Sequence, residues 1–180
     1  MRKKQADNEA GNSLIGTAGV HYAAYRLTLK GMIALPTVRN TPGTDLVVTS
    51  LDGHHHANIQ VKMTKNKRGK FWIICSPKKF EERKSKLGRN DYFLLLRPRR
   101  SDDPMPAHDS HEINELEGFM LTAQEANREL SAHLKYWKHR NEEPKFNLCI
   151  YVDKGPREKG WKLPPHSKNR WRKRWQEFQI

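Results

Sequence analysis

A chain of 180 residues with 34 Lys+Arg against 20 Asp+Glu carries a formal net charge of +14, which suits one domain with tails and favours a polyanionic partner. Hydrophobic residues make up 36% and the mean hydropathy is −0.93, so some segments are expected to be exposed. No run of about 18 apolar residues occurs, which excludes a membrane-spanning helix.

Residues 1–12 are polar and read as a flexible tail, without the apolar segment of a signal peptide. Asn12 or Ser13 is expected to cap a helix running to about Lys30. Leu14, Ile15, Ala18, Tyr22, Tyr25 and Leu29 recur near a 3.6 period, and Gly31 closes the helix. Met32 to Pro36 reads as a first or edge strand. Thr37 to Thr44 is a loop with a Pro42-Gly43 turn. Leu46 to Thr49 is a strand apolar enough to be buried on both faces. Leu51-Asp52-Gly53 makes a hairpin turn. His54, His55 and His56 follow it. Strand neighbours alternate sides, so the three cannot share one metal, and they read as a solvated turn edge. Ala57 to Met63 is the next strand.

The chemistry concentrates between Thr41 and Lys62. Asp45 opens the first strand of the hairpin. On the second strand Gln60 and Lys62 point to one face, because strand side chains alternate with a period of two. An acid, an amide and a lysine converging at the end of a sheet suit metal-assisted phosphodiester cleavage. The acid holds a divalent cation, which polarises the phosphate and acidifies a water, and the lysine places positive charge near that water. A direct Asp45–Lys62 pair would account for the same residues without catalysis.

Asp45 followed by Gln60-Val61-Lys62, behind a helix ending Leu29-Lys30-Gly31, a strand through Ala34-Leu35-Pro36 and the segment Asn40-Thr41-Pro42-Gly43-Thr44-Asp45, resembles the PD-(D/E)XK, or restriction-endonuclease-like, nuclease superfamily. The resemblance covers roughly the first two-thirds of the chain by order of elements. It implies an α/β fold with an αβββαβ core and a Mg²⁺ site, with Mn²⁺ as a substitute. Asp45, Gln60 and the Val61 carbonyl would be ligands, and Lys62 would position the attacking water. Related proteins often carry Gly-Glu in the first helix, where this chain has Gly19-Val20-His21. His21 is either a ligand or base or, more often for a lone helical histidine, a partly buried structural residue.

Lys65, Lys67, Arg68 and Lys70 form a basic loop, either a phosphate-backbone clamp or a soluble hairpin edge. Phe71 to Cys75 reads as a strand, Ser76 to Asn90 as a basic helical or irregular crossover, and Asp91 to Arg97 as a buried strand. Pro98 to Glu112 reads as a loop in which Asp102, Asp103, His108, Asp109 and His111 have ligand chemistry but no ligand spacing. Glu117 to Leu121 is a strand. Thr122 with Glu125 makes a capping box for a helix to about His139, with Ala126, Leu130, His133, Leu134 and Trp137 on one face. Phe146 to Val152 is a last strand, expected at an edge. Cys75 and Cys149 lack zinc-site spacing and read as buried free thiols in a reducing cytoplasm. In the C-terminal stretch Trp171, Trp175 and Phe178 fall at helical spacing. That fits a docking helix whose Arg170, Arg172, Lys173 and Arg174 contact nucleic acid.

The expected architecture is a central mixed sheet of about five strands flanked by helices. Residues 13–152 form the nuclease-like domain and 153–180 a basic, Trp-rich extension. The expected activity is that of a cytoplasmic Mg²⁺-dependent endonuclease on DNA, for which a homodimer would let two sites cut two strands. The alternative is an inactive nucleic-acid-binding protein of the same fold, and a structural protein of a ribonucleoprotein or mobile-element complex is a third reading.

Overall fold

The structure, a computed structural model, describes residues 2–38, 43–65, 71–99, 116–139, 147–152 and 167–180. Its elements are α1 (Arg2–Leu29), β1 (Ile33–Pro36), β2 (Leu46–Thr49), β3 (His56–Met63), β4 (Phe71–Cys75), α2 (Pro77–Arg83), β5 (Asp91–Pro98), β6 (Leu116–Thr122), α3 (Ala123–His139), β7 (Leu148–Tyr151) and α4 (Ser167–Glu177). Five strands form one mixed sheet in the order β1-β2-β3-β5-β6. Its neighbours are antiparallel except β3 and β5, which run parallel. A parallel pair needs a crossover, and here it passes through β4 and α2. β4 stays out of the central sheet and pairs antiparallel with β7. The last strand is therefore not an edge of the central sheet, as its position in the sequence suggested, but half of a separate ribbon.

Two expectations about α1 are overturned. The helix begins at Arg2, not at Asn12 or Ser13. No Pro or Gly interrupts residues 2–10, and the Thr17 hydroxyl donates to the Ser13 carbonyl (3.0 Å), which puts Ser13 inside the helix. The buried stripe also differs. Leu14, Tyr25 and Leu29 are exposed, and Ala23 and Leu27 are buried instead. Gly19, four residues before Ala23, lies against β3. A Cβ there would meet the Met63 Cβ at 2.8 Å. The helix comes so close to β3 at Gly19 that a side chain there would not fit, and this approach sets the face that turns inward. At the far end the Gly31 N–H bonds the Thr28 carbonyl and the Met32 N–H the Leu27 carbonyl. This is a Schellman closure, with Gly31 at φ 81°.

The sheet is buried on both sides. Ala57, Ile59, Val61, Leu94 and Leu96 pack with Ala23 and Leu27 of α1. Phe93, Leu95, Phe119 and Leu121 pack with Ala126, Leu130 and Leu134 of α3, and with residues of the β4–β7 ribbon. β2 is fully buried only at Leu46 and Val48. Val47 and Thr49 are half-buried, because no helix fully covers that side of the strand. The capping box of α3 forms as its sequence implies. The Thr122 N–H bonds Glu125 Oε2 (2.9 Å), and the Glu125 N–H bonds Thr122 Oγ1 (3.2 Å).

α4 closes the β6 edge of the sheet. Trp171 joins the α3-side core, whereas Trp175 and Phe178 join the α1-side core. Arg174 Nη1 donates to the Met120 carbonyl (3.0 Å) and pairs with Glu125. Glu117 is buried between Arg97, whose Nε lies 2.8 Å from its Oε2, and Arg172. Lys30 of α1 donates to the Trp175 and Gln176 carbonyls, both at 2.7 Å, where a cation suits a helix C-terminus. No helix among the described residues is long and apolar enough to cross a membrane.

Candidate active site

Asp45 sits where the β2 ladder runs out. Its N–H bonds the Ile59 carbonyl of β3 (2.9 Å), and its carbonyl accepts from the Thr37 N–H just past β1 (3.0 Å). The backbone is held from both sides, so the side chain has little freedom. Its Oδ2 accepts the Val61 N–H at 2.8 Å, in the place a further ladder bond would occupy. The N–H and C=O of one strand residue point the same way, so the Val61 carbonyl faces the carboxylate side as well. Oδ1 takes no hydrogen bond from the described residues.

Gln60 and Lys62 flank Val61 and are half-buried. Their β5 partners are Phe93 and Leu95, so both lie on the α3-side face and Val61 lies on the α1-side face. The hairpin thus brings Asp45, Gln60, Val61 and Lys62 to one end of the sheet. Among the described residues no ion pair joins Asp45 to Lys62, so the lysine charge is not neutralised there by direct pairing. Comparison with family models, curated proteins and solved structures gave no match.

Cys75 of β4 stands close to this lysine. Burial raises its thiol pKa, and the charges of Arg83, Lys62 and Lys79 oppose the rise. The α2 cations Lys79 and Arg83 and the strand cation Lys62 thus all act on Cys75, and Arg83 Nη1 lies 3.9 Å from where a Cβ on Gly43 would stand; sequence reading alone had not singled out the two α2 cations. The signal was present, because Ser76-Pro77 starts a helix and Lys79 and Arg83 then fall four residues apart on one face.

Other candidates are placed differently. Val20 packs against the α1-side core, across the sheet from Gln60 and Lys62, and His21 is exposed rather than partly buried. His54, His55 and His56 are exposed at the hairpin turn, where Gly53 has φ 75°. Lys65 is exposed just past β3, at the site's end of the sheet. Lys67, Arg68 and Lys70 lie outside the described residues, as do Asp102, Asp103, His108, Asp109 and His111. On α4, Arg172 holds buried Glu117 and Arg174 holds Glu125, so these two brace the fold. Arg170 also pairs with Glu125 (2.8 Å) but is half exposed, and Lys173 is 71% exposed beside Glu177. Only the last two keep the open aspect that nucleic-acid contact needs. Among the described residues no group of three or more His, Cys, Asp or Glu side chains could hold a metal ion.

Proposed function

We propose that this chain is a divalent-metal-dependent endonuclease that hydrolyses DNA phosphodiester bonds on a restriction-endonuclease-like core. The observation that carries the reading is the 2.8 Å bond from the Val61 N–H to Asp45 Oδ2, which fixes a carboxylate beside the Gln60-Val61-Lys62 strand. The order α1-β1-β2-β3-β4-α2-β5, with β4 outside the central sheet and β3 and β5 parallel, supports it, since the central-sheet elements follow the αβββαβ arrangement that the resemblance implies. A charge of +14 supports a polyanionic substrate.

The donor set fits a hard cation. Asp45 Oδ1, the Gln60 amide oxygen and the Val61 carbonyl are all oxygen donors, the kind Mg²⁺ and Mn²⁺ prefer. When bound, the metal would polarise the scissile phosphate and lower the pKa of a water. Asp45 presents its free oxygen in a fixed direction because its backbone is held on both sides. Gln60 adds a ligand without adding charge. Lys62 orients the attacking water and offsets the negative charge that develops on the phosphate, from a half-buried position where its charge is less screened than in open water.

A second reading is favoured by the neutral Gln60 and by Val20 in the apolar core, which leave Asp45 as the carboxylate of this constellation. The chain would then bind nucleic acid without cutting it. Wild-type protein incubated with supercoiled plasmid, linear duplex and single-stranded DNA separates the two. The nuclease cuts with Mg²⁺ or Mn²⁺ and is silent in EDTA. The binding protein retains DNA in both conditions and cuts in neither.

A further inference from the structure

The helix α2, which carries Lys79 and Arg83, is anchored at both ends. Ser76 caps the helix through the Lys79 N–H (3.3 Å), and Phe80 is buried in the α3-side core. Asn127 of α3 donates to the Lys84 carbonyl at the other end (3.1 Å). With Phe80 anchored, Lys79 and Arg83 share another face of the helix, four residues apart. Arg83 is half-buried, and its Nη1 lies 3.9 Å from where a Cβ on Gly43 would stand. The guanidinium therefore overlies the turn two residues before Asp45. Glu81 of the same helix is engaged by Lys84, and among the described residues no carboxylate pairs with Lys79, Arg83 or Lys62. Beside Asp45, cations that pair with no carboxylate among the described residues can draw in an anion that comes from outside.

We infer that Lys79 and Arg83 bind a backbone phosphate of the DNA strand, next to the phosphate held at Asp45 and Lys62. This rests on the proposed function for the identity of the first phosphate. Arg83 supplies a planar fork for two phosphate oxygens, and Lys79 supplies a point charge. The contact reads no base and is indifferent to sequence. Lys79 and Arg83 are thus positioning residues, which hold the strand in register for a cut elsewhere.

The test is fluorescence anisotropy with a labelled short duplex in EDTA across a salt series, so that cleavage plays no part. The Lys79→Gln/Arg83→Gln double variant is expected to bind about tenfold more weakly, and its log–log salt slope should be shallower by about 1 to 2. Lys79→Arg/Arg83→Lys, which keeps both charges, should restore most of the slope. Lys86→Gln/Arg89→Gln removes the same charge from exposed positions in the turn between α2 and β5, and should change the slope far less. Circular dichroism on each variant checks that it folds. The inference is overturned if the α2 double variant binds as wild type does, if the Lys86/Arg89 variant loses as much, or if wild type has no duplex affinity. Wild type that binds but never cuts refutes the nuclease reading alone.

Discussion

At Asp45 one carboxylate does two jobs. One oxygen ends the β2–β3 ladder by accepting the Val61 N–H, and the other remains for a ligand. The neighbouring Gln60 offers an oxygen without charge, so the bare site should attract a divalent cation weakly, and the substrate phosphate should supply much of the missing negative charge. Replacing that amide with a carboxylate tests the point directly. In Gln60→Glu the Mg²⁺ concentration for half-maximal cleavage should fall about tenfold, equivalent to roughly 1.4 kcal/mol of added metal affinity. A midpoint that rises or stays put would mean that position 60 does not face the metal.

Among the elements, α4 shows how a basic, aromatic segment can be structural. Trp175 lies on Gly118 so closely that a Cβ at 118 would collide with the indole. Gly118→Ala should therefore cost about 1–3 kcal/mol of stability in denaturant unfolding. Unchanged stability would mean that the helix is not seated on β6. Glu125, which caps α3 and anchors Arg174 and Arg170, gives the docking a pH dependence. Burial opposes ionisation of Glu125, but the bond from Arg174, the Thr122 N–H and the Arg170 charge outweigh it and hold its pKa below the ordinary 4.5. A lowered acid pKa adds stability that is present above 4.5 and lost as pH falls through the depressed value. Glu129 acts in the opposite sense, since burial raises its pKa. Wild type should lose more stability below pH 4.5 than Glu125→Gln does, read by tryptophan emission. Parallel acid profiles would contradict the anchoring role.

The same elements show what a linear reading could and could not see. Leu46–Thr49, the Thr122/Glu125 box and the aromatic spacing of α4 were legible because each is encoded locally. The buried stripe of α1 was not. Periodicity finds the most apolar face, whereas the close approach to β3 at Gly19 turns Ala23 and Leu27 inward. Asp45 and Lys62 were legible as an acid and a lysine on a hairpin. The bond to the Val61 N–H and the arrival of Lys79 and Arg83 depend on tertiary placement. Arg172 and Arg174 read as free cations because their acids, Glu117 and Glu125, lie about 50 residues away in the chain.

For the molecule as a whole, the central sheet carries a constellation at the Asp45–Lys62 end and is closed at β6 by α4. The fold and the chemistry can therefore be disturbed separately, and the Asp45–Lys62 end is where we propose DNA hydrolysis. Single-turnover cleavage of plasmid DNA in Mg²⁺ by wild type, Asp45→Asn and Lys62→Ala measures this most directly, with duplex binding and circular dichroism recorded on the same preparations. The expected result is that each substitution slows cleavage by on the order of 10²–10³-fold or more while the fold persists and duplex binding falls far less than the rate. Cleavage at the wild-type rate in either variant, or none by wild type that binds DNA and is supplied with metal, would contradict it.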